Sequence, residues 1–251
     1  MTEAELHDYW RAQRARVARL KARDPRRVLF GAHSDRWGHR YRVARVVPEA
    51  KLVAFEERCG RRLPLEYRTF LRSYGAGGAG PDYGIRRFQE AILPHTYPIP
   101  WGHTDTVETD GLLDDHPVWR HDGLGFLGTA GCGIDWYIEL NGPQPGTVWC
   151  DGDGALYKYP PFQPWFEHWA ARAEQAVAII QAFTALKQRF DAKGGLDEAA
   201  VVEALGAPER STRRDDGVEE LWFARGGGHV LRGPDGGILD VVPPRKGCIS
   251  A

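Results

Sequence analysis

The sequence predicts an α+β fold: helices packed on a mostly antiparallel central sheet, followed by a small helix-plus-β-meander module. Three observations predict it. Apolar residues recur at helical spacing near the start of the chain, between positions 48 and 74, and between 162 and 190. Between positions 84 and 159 the pattern changes to short strand-like runs, the last three separated by Asn141-Gly142 and Asp151-Gly-Asp-Gly154, the punctuation of tight antiparallel hairpins. Residues 196–251 then combine one short helix with three strand-like runs, about the smallest arrangement that hides one apolar face.

The first predicted helix runs from Thr2 to Asp24. Thr2 and Glu5 have the spacing of a capping box, and Leu6, Trp10, Val17 and Leu20 form one stripe interrupted by Gln13. Arginines and a lysine cover the other faces, as a solvated surface would, or a surface for nucleic acid or an acidic partner. Pro48 opens a second helix, where its missing N–H costs nothing; Leu52, Phe55 and Cys59 face one side and Gly60 closes it. Pro64 starts a third, with Tyr67, Phe70, Leu71 and Tyr74 apolar, ended by Gly75. The stretch Gly75-Ala-Gly-Gly-Ala-Gly80 lacks the Lys-Ser/Thr of a phosphate-binding loop and is expected to be a flexible turn. Strands are expected at Gly84–Phe88, Gly125–Thr129, Asp135–Leu140, Thr147–Asp151 and Ala155–Tyr159, and a helix from Phe162 to Phe190. After Lys193-Gly-Gly195 come a helix at Leu196–Leu205 and strands at Val218–Ala224, His229–Arg232 and Ile238–Val242. The expected organisation is therefore a basic N-terminal helix and extension (1–47), an α+β domain (48–192) and an α+β appendage (196–251).

With 251 residues, 42% hydrophobic and 27% charged, the chain has material for a packed core and is not disordered wholesale. No apolar run has the roughly 20 residues of a membrane helix, and the first residues form no apolar leader, which predicts a cytoplasmic protein without membrane partners. Cys59, Cys132, Cys150 and Cys248 form no Cys-x-x-Cys pair, so neither a structural zinc site nor a disulfide framework is expected. The net charge of −1 hides an asymmetry: residues 1–47 hold 12 Lys/Arg and 5 Asp/Glu, and the rest of the chain 21 and 29. Nucleic acid is thus not an expected partner of the protein as a whole, although the first segment has the balance of a basic arm.

The segment 94–122 stands out. From His103 to Asp122, Asp105, Glu108, Asp110, Asp114, Asp115 and Asp122 face only Arg120 in sequence, and Trp101 and Trp119 flank the run. A solvated loop would have this composition. So would a recognition surface for a basic protein, where tryptophans supply desolvated area and carboxylates steer association. These eight acidic and tryptophan side chains are the candidate partner-binding residues. A third reading is a metal site from His103, Asp105, His116, His121 and Asp122, though the spacing matches no established metal motif. No Gly-x-Ser-x-Gly elbow exists, Cys132 has no neighbouring base in sequence, and the calcium-loop start at Asp151 fails at position twelve, which is Phe162.

Between Leu52 and Trp169 the order of motifs resembles the SUKH superfamily, the group of bacterial immunity proteins against polymorphic toxins and fungal cell-wall regulators. The resemblance rests on Phe55-Glu-Glu-Arg-Cys-Gly60 followed by Leu63-Pro-Leu-Glu-Tyr-Arg-Thr-Phe-Leu71 and a Gly-rich turn, where the family's usual Asn is missing. It continues in Leu127-Gly-Thr-Ala-Gly-Cys-Gly-Ile-Asp135, in Thr147-Val-Trp149 with Asp151, and in Phe166-Glu-His-Trp169. The resemblance implies a fold of helices on an antiparallel sheet, action by binding a protein, and neither catalytic residues nor a cofactor. The leading expectation is an immunity protein that occludes a cognate toxin, possibly a nuclease. The alternatives are a regulatory or scaffold interaction protein, and a metal-dependent enzyme using segment 103–122.

Overall fold

The computed structural model describes residues 1–33, 36–88, 106–108, 123–153, 155–223 and 228–244, with 106–108 described as backbone only. The fold is α+β, as the periodicities predict. In chain order come α1 (Glu3–Arg23), α2 (Glu49–Cys59), α3 (Leu65–Ser73), β1 (Thr106–Glu108), β2 (Leu124–Gly131), β3 (Ile134–Glu139), β4 (Thr147–Gly152), β5 (Ala155–Pro161), α4 (Phe162–Lys193), α5 (Glu198–Leu205), β6 (Arg210–Arg213), β7 (Glu219–Trp222), β8 (His229–Arg232) and β9 (Ile238–Val242). The chain divides into two compact units, residues 1–18 with 41–170 and residues 19–40 with 171–251.

In the first unit α1 begins with the capping box its sequence announces: Thr2 N donates to Glu5 Oε2 (2.7 Å) and Glu5 N to Thr2 Oγ1 (3.3 Å). Its stripe delivers Trp10, fully buried, into a ring of aromatics. Phe70, Phe162 and Phe166 have ring centres 5.1, 5.5 and 5.3 Å from it, and Tyr74 6.5 Å. The indole N–H donates to Thr69 Oγ1 (3.2 Å), so its one polar group is satisfied. Gln13, the apparent break in the stripe, is buried because it works with its neighbours: Tyr9 Oη and Gln13 Nε2 both donate to Glu167 Oε2 (2.8 Å each), and Arg16 Nη1 to Glu167 Oε1 (2.6 Å). Glu66 accepts from Gln163 N (3.0 Å), satisfying an orphan donor at the start of α4. Arg68 ties α3 to α2, bonding Glu49 and Glu56, while Glu56 also accepts from Leu63 N (2.9 Å).

The five-stranded sheet is antiparallel in the order β1-β5-β4-β3-β2. Register sets two faces. Ile138, Leu140 and Gly125 line one cleft with Phe55, Leu63 and Tyr67 of the helical side. The alternate positions carry Leu124, Tyr137, Trp149 and Leu156, a second apolar cluster.

The stretch Gly75–Gly80 is not a flexible turn. It is the middle of three extended segments: Ala44 N donates to Gly77 O and Ala76 N to Arg45 O, while Gly78 and Ile85 exchange two bonds of 2.8 Å. Gly78 has φ +123°, and a Cβ there would lie 2.2 Å from Arg42 O and 2.9 Å from Val43 Cα. Glycine here permits backbone to touch backbone from both sides. The expected strand Gly84–Phe88 is the third of these segments: Ile85 bridges Gly78, Phe88 N donates to Ala76 O (2.6 Å), and Arg86 N donates to Leu127 O of β2 (2.6 Å).

The second unit centres on Phe183, Leu186, Val201, Leu221, Phe223, Val230, Ile238 and Val241. Asp197 caps α5, its Oδ1 accepting from Ala200 N (2.7 Å). The sheet is a four-stranded antiparallel meander, β6-β7-β8-β9, one strand more than expected. The additional strand, Arg210–Arg213, is exposed throughout, so it carries none of the apolar alternation that marks the others. Burial pushes the His39 imidazole down from 6.5 to about 3.

Two expectations follow. Gly78→Ala loses at least about 3 kcal/mol in urea unfolding because strain and clash combine there, whereas Gly60→Ala, at φ +66° with nothing within 4 Å of its Cβ, loses about 1 kcal/mol. Below pH 6.5 the unfolded chain protonates His39 while the folded one does not until about pH 3, so this group's stabilising contribution is complete above 6.5 and lost as pH falls. The stability lost between about pH 7.5 and 4.5 therefore shrinks by roughly 2 kcal/mol in His39→Gln, measured by urea unfolding at both values.

Candidate functional site

The β2–β3 and β4–β5 hairpins turn at the same end of the five-stranded sheet, since Asp135 of β3 pairs with Asp151 of β4. Both tips use backbone that favours glycine: Gly131, Cys132 and Gly133 have φ of +90°, +54° and +80°, and Asp153 has φ +52°. A third turn, Pro81–Gly84, lies against the same end, with Gly84 N bonded to Pro81 O (2.8 Å) and Tyr83 N to Thr129 O (3.4 Å). These turns bring Asp82, Asp135, Asp151 and Asp153 together. All four act on Cys150, whose thiol is pushed up to about 11 by burial first and then by Asp151, Asp82, Asp135 and Asp153 in that order.

Aromatic side chains complete this end. The Trp136 indole N–H donates to Asp82 Oδ2 (2.7 Å), and its ring meets Tyr159 edge-on at 4.9 Å and Trp165 at 5.4 Å. Burial holds the Asp82 carboxyl above its ordinary value, opposed by the Trp136 hydrogen bond. Tyr157 and Tyr159 are each 40% exposed, and Asp153 and Cys132 are exposed at the tips. Negative charge beside partly exposed rings suits guanidinium and ammonium groups, which pair with carboxylates and lie over aromatic faces.

Of the residues the sequence nominated for partner binding, the structure places Glu108, by its backbone, in β1 opposite Ala155, beside the β4–β5 tip. Trp101, Asp105, Asp110, Asp114, Asp115, Trp119 and Asp122 lie outside the described residues, as do His103, His116 and His121 of the metal reading. Among the described residues no group of three or more His, Cys, Asp and Glu side chains is arranged to hold a metal ion. The sequence reading did not assemble Asp82, Trp136, Tyr157, Tyr159 and Asp153 into a surface. Turn carboxylates in Pro-Asp-Tyr-Gly and Asp-Gly-Asp-Gly were the available signal, but the pairing of position 82 with 136 depends on tertiary structure.

Fold and surface together define an α+β domain that presents charge and aromatic area at strand ends. Residues 47–169 match the SMI1 / KNR4 family (SUKH-1), and the chain carries a domain of that family over this span. Comparison with curated proteins and with solved structures returns no match. No described helix is long and apolar enough to cross a membrane.

The three described cysteines differ in accessibility, Cys132 exposed and Cys59 and Cys150 buried. Brief iodoacetamide treatment of the native protein followed by peptide mapping is expected to label Cys132 and spare the other two, whose thiols burial also raises. Comparable labelling of Cys150 would mean that the β4–β5 hairpin opens readily.

Proposed function

We propose that this protein is a non-enzymatic immunity protein that holds a cognate toxin domain, a nuclease in particular, in an inactive complex in the cytoplasm of the producing cell. The SUKH-1 domain over residues 47–169 supports action by protein binding. The observation that carries the reading further is the acidic, aromatic end of the five-stranded sheet, where Asp82 accepts the Trp136 indole proton beside Tyr159 and where Asp135, Asp151 and Asp153 also fall, Asp153 exposed at its tip and Asp151 buried. A toxin that cleaves nucleic acid needs a basic cleft for phosphates, and a surface of carboxylates and rings is complementary to it in charge and chemistry. In this reading the acidic residues Asp105, Glu108, Asp110, Asp114, Asp115 and Asp122, with Trp101 and Trp119, extend the same contact surface. Backbone pairing of Glu108 with Ala155, next to Asp153, favours that continuity.

Inhibition then needs no chemistry. Occupying the cleft excludes substrate, and paired carboxylates raise the association rate in a salt-dependent way. Separation of a second compact unit with its own apolar core favours a second reading, a regulatory scaffold in which that unit recruits another molecule.

Co-expression separates the two. The protein is expected to restore growth of cells producing the toxin encoded beside its gene, and the triple change Asp110→Asn, Asp114→Asn, Asp115→Asn to weaken complex formation by at least about tenfold and flatten its salt dependence. Failure of the parent protein to rescue growth would reject immunity and leave the scaffold reading. Unchanged affinity in the triple variant would remove this segment from the interface.

A further inference from the structure

We propose that the acidic end of the five-stranded sheet takes one arginine side chain of a protein partner, its guanidinium pairing with Asp82 and lying over the Tyr157 and Tyr159 rings. The partner's class rests on the immunity reading; the site itself does not. The Trp136 indole N–H donates to Asp82 Oδ2 (2.7 Å), and the Trp136 ring meets Tyr159 edge-on at 4.9 Å. Burial first, then Cys150 and Asp82, hold the Tyr159 phenol above its ordinary value, so Asp82 also acts on that ring's hydroxyl. Register puts Tyr157 on the same face. It pairs with Cys150 of β4, which pairs with Trp136 of β3, and Tyr159 follows two positions along β5. Two large rings, Trp136 and Tyr157, thus stand on either side of one small residue. Tyr157 and Tyr159 are each 40% exposed.

Asp82 is half-buried without a compensating cation. Its side chain accepts from the neutral Trp136 indole, and no Lys or Arg is among the groups that act on it. Taking a carboxylate partly out of water in this way costs stability, and burial accordingly holds its carboxyl above the ordinary value. Its backbone lies in the left-handed region at φ +51°, in a turn closed by Gly84 N on Pro81 O. Folding alone does not favour a pinned, uncompensated carboxylate beside two exposed rings; an incoming cation completes it.

Carboxylate and rings together select among cations. A lysine ammonium is a compact, strongly hydrated point charge that gains little from a flat surface. A guanidinium is planar and weakly hydrated: its edge donates to a carboxylate while its face lies on an aromatic ring. A metal ion is not favoured, since among the described residues no group of three or more His, Cys, Asp and Glu is arranged to hold one. Free arginine is disfavoured as well. Its α-carboxylate would meet the negative charge of Asp82, Asp135, Asp151 and Asp153, all of which act on Cys150 at this end, whereas a side chain within a polypeptide brings no such group.

The test needs no toxin. Full-length isotope-labelled protein is titrated at low salt with acetyl-arginine methylamide, with its lysine and citrulline counterparts and with free arginine. The Trp136 indole N–H resonance, assigned through Trp136→Phe, is followed by NMR. The arginine probe is expected to move it saturably at millimolar concentration, the lysine probe to bind about threefold more weakly and the neutral citrulline probe at least about tenfold more weakly. Asp82→Asn keeps an acceptor for the indole and a side chain that tolerates the left-handed region. It is expected to weaken arginine binding at least about tenfold while melting no lower than the parent at neutral pH. Tyr157→Ala should weaken binding about threefold. The proposal is overturned by any of these results: no saturable shift, equal affinity for lysine or citrulline, parental binding in Asp82→Asn or Tyr157→Ala, or Asp82→Asn melting well below the parent. Free arginine binding about tenfold more tightly than the blocked probe would overturn it too, assigning the site to an amino acid. Growth rescue is read separately. Rescue without arginine binding removes this inference alone, and arginine binding without rescue removes the immunity reading alone.

Discussion

Burial of one tryptophan organises the helical half of the SUKH-1 unit. Trp10 lies far in sequence from every aromatic it touches outside α1, yet it is wholly enclosed by Phe70 and Tyr74 of the α3 region and Phe162 and Phe166 of α4. Emptying such a site costs about 3–5 kcal/mol, a large share of a typical domain's stability. The polar groups beside it fix direction rather than supply the driving force. Thr69 takes the indole proton, and Glu167 collects donors from Tyr9, Gln13 and Arg16, so α1 docks on α4 in one register. Residues 1–18 are therefore part of the same compact unit as the domain that formally begins near position 47.

From that core the architecture passes outward through close backbone contacts. Tyr74, at the end of α3, donates its hydroxyl proton to Ala79 O (2.6 Å), fixing the glycine-rich stretch against the helices. That stretch joins residues 42–45 on one side to 85–88 on the other, and Arg86 N continues the connection to Leu127 O of β2 at 2.6 Å. The turn carrying Asp82 is held by the same chain of contacts. The carboxylate beside Trp136 thus owes its position to glycines whose missing side chains let three segments close up.

Much of this was legible in the sequence, and the limits have physical causes. Capping box, apolar stripe, Pro48 and Pro64 starts and the Gly60 stop are local signals, and each helix they marked formed within a few residues of its expected bounds. The hairpins around Asn141-Gly142 and Asp151–Gly154 were visible for the same reason. Gln13 looked like a defect in a stripe because its partner, Glu167, is 154 positions away. Glycines at 75–80 looked like slack because a sequence does not distinguish freedom from close approach. Strand β6 escaped notice because its side chains all face water. The acidic end of the sheet was legible only in fragments: its carboxylates sit in separate turns, and register alone brings them together.

Strand β1 joins the sheet at its edge, Thr106, Val107 and Glu108 pairing with Tyr157, Leu156 and Ala155. Such pairing is made by main-chain groups that every residue except proline carries, and it also covers part of an edge that would otherwise invite another chain. The ladder itself therefore makes no demand on which side chains these three positions carry, proline excepted. Substitutions can accumulate there without disturbing the ladder, so the vocabulary of recognition is separable in heredity from the grammar of folding, and new partners are accessible to a lineage that keeps its scaffold intact.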